Sequence, residues 1–216
     1  MKANAGRGEV RNSLRSTAER DTAVLLLTRA FLDDPLMTHI LEGKTNSARS
    51  VVLQALMDYS LAIREHFKWP ILSLWDDQVL SGIAALSLPA AADPWPPNLK
   101  QRFTIVKELL GEKGSERLAR YGEISERERP KALHIYLGVL GVDPDAQGQG
   151  FGKQLLDSVQ DLSERYPGST GVFLDTENPQ NVQFYEHCGY EVVSCHNLES
   201  VNIYCLFRAN RLHGKT

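Results

Sequence analysis

Between Gly141 and Leu156 the chain reads Gly-Val-Asp-Pro-Asp-Ala-Gln-Gly-Gln-Gly-Phe-Gly-Lys-Gln-Leu-Leu, a run whose glycines and setting can bind an anion. An apolar segment, Leu133 to Val142, ends in an Asp-Pro turn, a glycine elbow from Gln147 to Gly152 follows, and a helical pattern starts at once. Backbone N–H groups left free at the positive end of a helix make a seat for a phosphate or pyrophosphate. A mononucleotide loop needs Lys-Ser or Lys-Thr after its last glycine; here Gly152-Lys153 is followed by Gln154, and the four-residue spacer is missing. A dinucleotide fingerprint needs G-x-G-x-x-G and an acidic residue on the next strand. Gly148-x-Gly150-x-Gly152 has a different rhythm and lies late in the chain.

Gln147-x-x-Gly150-x-Gly152, preceded by Val142-x-Pro144, instead resembles the signature of the GNAT acetyltransferase superfamily. A second block strengthens the resemblance. Val172-Phe-Leu-Asp-Thr-Glu-Asn178, then Asn181-Val-Gln-Phe-Tyr185-Glu-His-Cys-Gly189-Tyr190, is similar to the family's next strand, its asparagine-bearing turn and its F-Y-x-x-x-G-F/Y helix.

The resemblance implies an acetyl-CoA-dependent N-acetyltransferase, in which a primary amine of a small molecule attacks the thioester directly in a ternary complex. It assigns the cosubstrate acetyl-CoA to a set of residues. Gln147, Gly148, Gly150, Phe151, Gly152 and Lys153 would hold the pyrophosphate. The backbones of Leu140 and Val142 would align the pantetheine arm, and the amides of Asn178 and Asn181 would steady it. Asparagine is equally a common turn and helix-cap residue. Tyr185 would be the general acid: a phenol with a reference pKa of about 10 can protonate a thiolate whose thiol lies at about 8.5. It is also one of three aromatics, with Phe184 and Tyr190, that could pack the helix on the sheet. The general base stays open among Asp175, Glu177, His134, Tyr136 and His187, with Glu177 nominated. Asp33, Asp34 and Glu42 could face a cationic amine, although Asp33-Asp34-Pro35 is also a helix stop. The alternative function is a non-catalytic acyl-CoA-binding sensor or interaction module. Tyr185 argues for the enzyme, and residues 90–130, which match no known pattern, argue for a partner role.

The elements that must position these groups follow from periodicity. Ser16 and Glu19 form a capping box opening a helix with Ala23, Leu26, Leu27, Ala30 and Phe31 on one face. A short helix over 36–41 and a longer one through Val52 and Ile63 come next. Pro70–Trp75 and Val79–Leu88 read as a hairpin, and four prolines between Leu88 and Pro97 make an irregular connection. Leu99, Phe103, Val106 and Leu110 mark a helix, while Glu112, Glu116, Arg117 and Arg120 read as a solvated face. The strand and helix of the two signature blocks complete the order, followed by a closing strand pair, 190–195 and 201–207. The expected fold is α/β (α+β), a GNAT fold. Its central sheet is mixed and mostly antiparallel, with a splayed parallel strand pair and helices on both faces.

Residues 1–216 read as a single N-acetyltransferase domain, with 1–8 disordered and 89–130 an irregular and helical insert. Lysine and arginine number 24 against 27 acidic residues, a net charge of −3, which argues against nucleic-acid or anionic-membrane partners. Cys188, Cys195 and Cys205 match no zinc spacing, so no metal is expected, and reduced thiols fit a cytoplasmic setting. No run is long enough for a membrane span. The family implies a homodimer through the closing strands.

Overall fold

A computed structural model describes residues 8–89 and 95–211. The expected disorder of residues 1–8 therefore lies outside the described residues, except at Gly8, which is buried against Leu74. The middle of the proline-rich connection, residues 90–94, is outside them as well.

Chain order runs β1 (Glu9–Arg11), α1 (Thr17–Ala30), α2 (Pro35–Ile40), α3 (Asn46–Phe67), β2 (Ile71–Asp76), β3 (Val79–Ser87), α4 (Pro97–Glu128) and β4 (Ile135–Val142). It continues with α5 (Phe151–Arg165), β5 (Gly171–Thr176), α6 (Pro179–His187), β6 (Glu191–Leu198) and β7 (Val201–Ala209). Ser16 caps α1 by accepting from the Glu19 amide at 3.2 Å, and Glu19 reaches back to the Arg15 amide at 2.6 Å. This is the expected reciprocal cap, with the return bond one residue earlier than in the standard box.

The described strands form one sheet in the order β1-β2-β3-β4-β5-β7-β6, antiparallel except between β4 and β5. One core lies under α1 to α4, with Leu27, Leu53 and Ile83 at its centre; the other lies under α5 and α6, with Phe151, Leu155 and Val172. The mixed sheet and its two helical layers are as the sequence led us to expect. Among the described residues no helix is long and apolar enough to cross a membrane.

Two irregularities in β4 create the space that matters. The parallel pairing is brief: Ile135 faces Val172 and Tyr136 faces Phe173, and there it ends. Beyond it β4 follows β3 as far as Val142, while β5 follows β7 as far as Thr176, so a wedge opens between them. The second irregularity is a bulge. Ala85 faces Val139 but Leu86 faces Leu137, which leaves Gly138 as an extra residue. An extra residue reverses the facing of everything after it. Accordingly Tyr136 and Val139 both pack on the α1–α4 side, and Leu137 and Leu140 both pack on the other.

A side chain at Gly138 would collide with the Arg64 guanidinium. That group is fixed by Ser60, by the Leu86 carbonyl and by Ser87, and Arg64 is only 7% exposed. Because Arg64 has nowhere to go, Gly138→Ala should destabilise the fold by about 1–3 kcal/mol through overpacking. Chemical denaturation measures this, and an unchanged midpoint would show that the bulge tolerates a side chain.

Helix α4 is interrupted at Gly111 (φ 75°, ψ −180°), so its second half takes a new direction. The expectation that this half presents a solvated charged face is correct for Glu112 and Glu116, which are exposed, and incorrect for Arg117. That side chain donates to the His39 carbonyl and to Glu42, both at 2.7 Å, and with Arg120 it pairs with Glu199 at the β6–β7 turn. Three elements compete for its charge, which is why periodicity alone misassigned it.

Candidate active site

At one end of the wedge lies the glycine loop. Gly148 (φ 77°) and Gly150 (φ 88°) are left-handed, a conformation that costs other L-residues about 1–2 kcal/mol. Both face open space. Gly150 is the N-cap of α5 and supplies no side-chain acceptor, so no side chain caps the first turn of that helix. Gly152 serves a different purpose: a Cβ there would meet the Phe184 ring at 3.1 Å, so glycine lets α5 approach α6 closely. The Gln147 amide donates to the Val142 carbonyl at 3.3 Å and fastens the loop to the end of β4. Arg29 of α1 holds Asp143 at 3.0 Å and Asp145 at 2.7 Å.

Phe151 and Lys153 need a narrower reading than their place in the signature suggested. The Phe151 ring is 1% exposed in the core, so only its backbone faces the loop. Lys153 pairs with Asp157 at 2.6 Å, one turn along the same helix.

At the other end the wedge widens into a cavity of about 210 Å³. Its lining comes from both layers. Leu137, Leu140 and Tyr185 belong to the α5–α6 side; Leu36, Met37, Met57 and Val139 belong to the other. Groups from opposite faces of the sheet therefore meet where β4 and β5 no longer pair.

Three carboxylates line this cavity: Asp34, Asp175 and Glu177. Asp175 accepts from Ser125 at 2.6 Å, from Tyr136 at 3.0 Å and from the hydroxyl of Tyr121. Asp34 Oδ1 caps α2, accepting from the amides of Leu36 (3.0 Å) and Met37 (3.2 Å). Burial raises the Asp34 carboxyl, and those two amides oppose the rise. Glu177 is 7% exposed, and its Oε1 has no hydrogen-bond partner among the described residues. Burial first, then the charges of Asp175 and Asp34, push its carboxyl well above the usual carboxylate range.

Tyr185 sits against the Tyr190 ring (5.7 Å between centroids) and the Phe184 ring (5.5 Å), with its edge in the cavity. Burial, then Tyr190 and the cavity carboxylates, hold its phenol above the usual value. The expected match between this phenol and a thiol is thus absent, with burial the first cause.

The two asparagines part company. Asn178 is the N-cap of α6, with Oδ1 accepting from the Gln180 amide at 3.0 Å, while Asn181 lines the cavity. Of the base candidates, Asp175 and Glu177 line the cavity and Tyr136 touches it through Asp175. His134 bonds the Ala132 carbonyl (2.8 Å), and His187 bonds the Gln183 carbonyl (2.6 Å) at the far end of α6; neither lines the cavity. On the acceptor side Asp34 is present, whereas Asp33 is exposed and Glu42 is taken by Arg117.

Sequence reasoning missed Leu118, Tyr121 and Ser125 of α4, the first two in the cavity wall and the last two donors to Asp175. Their i, i+3, i+7 spacing was the available signal, a narrow stripe on a helix otherwise rich in charge.

Comparison with known proteins bears on the family and the fold. Residues 103–192 match the family model described as the acetyltransferase (GNAT) domain. A mycothiol acetyltransferase of Beutenbergia cavernae is 41% identical over 68 residues, which is 31% of this chain and 23% of that protein. The N-alpha-acetyltransferase RimI of Mycobacterium tuberculosis is 28% identical over 103 residues, 47% of this chain and 64% of that one. The chain thus spans less than two thirds of the length of these curated relatives. The crystal structure of histone acetyltransferase HPA2 and related acetyltransferase from Corynebacterium glutamicum has the same fold. It superimposes with a TM-score of 0.68 over 94% of this chain and 96% of that one, at 18% identity.

Proposed function

We propose, from the match of residues 103–192 to the GNAT acetyltransferase domain, that the protein is an acetyl-CoA-dependent N-acetyltransferase acting on a primary amine of a small molecule. The observation that supports this most is the wedge: an uncapped helix start stands at one end, and a cavity lined by acids and a tyrosine stands at the other. GNAT acetyltransferases use acetyl-CoA, and the residues present suit it. The N–H groups opening α5, with Gly148 and Gly150 turned into open space, would hold its pyrophosphate. The edge of β4 at Leu140 and Val142, unpaired with β5 beyond Tyr136, would take the pantetheine arm. Asn181 would steady the arm from α6.

In the transfer the amine nitrogen attacks the thioester carbonyl. The new C–N bond forms as the C–S bond breaks, and the sulfur leaves as a thiolate. Glu177, in its ionised form, takes the proton that the ammonium must lose before attack, its raised affinity for a proton favouring the transfer. Tyr185 gives its hydroxyl proton to the thiolate and is reprotonated by the second proton that the nitrogen sheds as the amide forms. The three unpaired cysteines favour a reducing, cytoplasmic setting.

Thermal shift with acetyl-CoA, then thiol release over a panel of amines, tests this reading. A ligand at about 100 times its Kd adds about 2.7 kcal/mol to stability, enough for a clear rise in Tm. Tight acetyl-CoA binding with no thiol release from any amine would favour the sensor module instead. Gly150→Ala should weaken acetyl-CoA about tenfold, the equivalent of the 1–2 kcal/mol strain of its left-handed backbone, with little change in kcat. Calorimetric titration measures it, and wild-type affinity would remove the loop from the donor site.

A further inference from the structure

Building on the transferase reading, we infer that the acceptor is a compact primary monoamine with an apolar arm, whose single ammonium sits at Glu177. The seat of the ammonium follows from which carboxylate oxygen is buried and without a partner. Asp175 is bonded by three hydroxyls, from Tyr121, Ser125 and Tyr136. Asp34 accepts the two α2 amides on Oδ1. Of the three acids, Glu177 alone carries an oxygen that is both buried and without a partner among the described residues, and it lines the cavity. A buried acceptor left unmatched is costly, and native structures rarely keep one without a ligand or water to answer it. None of the residues lining the cavity is Lys, Arg or His. The nearest guanidinium, Arg64, is held behind Gly138 by Ser60 and Ser87. Nor do the described residues contain a group of three or more His, Cys, Asp or Glu arranged to hold a metal ion.

The remaining wall sets the rest of the molecule. Phe31, Leu36, Met37, Leu56, Met57 and Leu118 are apolar, and the two methionines can adapt to an irregular arm. A second ammonium, or the hydroxyls of an aminated sugar, extended along this apolar wall would lie unpaired. At about 210 Å³ the space is below the roughly 300–1,000 Å³ of sites for drug-sized ligands. A peptide terminus would have to leave its neighbouring residues outside this space.

The full chain saturated with CoA, which has no acyl group to transfer, is titrated calorimetrically with phenethylamine, phenethyl alcohol, 1,4-diaminobutane, glucosamine and a trialanine peptide. Phenethylamine should bind at least about tenfold more tightly than each of the others, one decade being the smallest margin that a single well-placed charge contact implies. Glu177→Gln should erase the margin of amine over alcohol and leave CoA affinity unchanged. Leu56→Glu, which places an acid on the apolar wall, should turn the preference toward the diamine. Tightest binding of diamine, sugar or peptide to the wild type, or equal binding of amine and alcohol, would overturn the inference. Thiol release from acetyl-CoA over the same panel separates this outcome from the fate of the transferase reading. The expected binding order with no thiol release would sink the transferase and keep the amine seat; release confined to diamines or peptides would do the reverse.

Discussion

Replacing Tyr185 with phenylalanine should lower kcat for acetyl transfer by about 10²–10⁴-fold, the usual contribution of a positioned general acid. Acetyl-CoA affinity should hardly change. The substitution is clean because the ring stays. Phe184 and Tyr190 still pack against it at their present centroid distances of 5.5 and 5.7 Å, so the helix keeps its seat on the sheet. No described residue hydrogen-bonds the lost hydroxyl. Removing it leaves no protein partner unsatisfied, and stability should stay at the wild-type level. The phenol is held above its usual value, so the wild-type pH–rate profile should show no alkaline limb near that usual value. Steady-state kinetics and donor titration together decide the matter. A kcat within about threefold of wild type would make Tyr185 a packing residue.

The second large effect joins a loss to a gain. Glu177→Gln should reduce turnover by about 10²-fold or more by removing the proton acceptor, and the same change should make the protein more stable at neutral pH. The sign follows from linkage. In the unfolded chain this carboxyl titrates near its ordinary value of 4.5, and in the fold burial and its acidic neighbours raise it. Below the unfolded value both states hold the proton. As pH climbs, the unfolded chain releases its proton while the folded chain keeps it, so the wild type loses stability until the folded value is passed. Glutamine stays neutral and escapes that loss, so the two proteins should converge in acid and separate toward neutrality. Asp34 is raised as well and acts with the same sign in both proteins. Glu128, drawn down to about 2 first by Arg127 and then by His196, acts with the opposite sign in both. Denaturation at a series of pH values tests this directly. A variant less stable than wild type at neutral pH would mean that Glu177 is ionised and paired in the fold. A stabilised but inactive protein is the usual sign of a group kept for chemistry at the expense of the fold.

The donor half of the proposed site is open to sequence reading because it is local. Gln147 to Gly152 is one turn of chain, and its needs are backbone ones that glycine alone meets, so residue type and spacing carry the information. Even there the residues were not equivalent. Phe151 turned inward, Lys153 paired along its own helix and Asn178 became a cap, because a signature records positions and not the direction of side chains. The acceptor half was illegible for the opposite reason. Asp175 meets Tyr121, Ser125 and Tyr136 at sequence separations of 54, 50 and 39 residues. No periodicity links them. Asp34 was visible as a helix stop and is one; that the same carboxylate also faces a cavity depends on where α3 and α4 lie. The bulge at Gly138 was equally hidden, since a lone glycine in a strand does not announce which neighbour will press on it.

The interrupted helix α4 ties the two sides of this arrangement together. Its second half roofs the amine side with Leu118 and Tyr121, yet it enters the chain between two strands that are already paired to each other, β3 and β4. Tyr121 and Ser125 of that half donate to Asp175 of β5. The backbone turn at Gly111 thereby sets the position of one wall of the cavity and of two donors to a carboxylate that lines it.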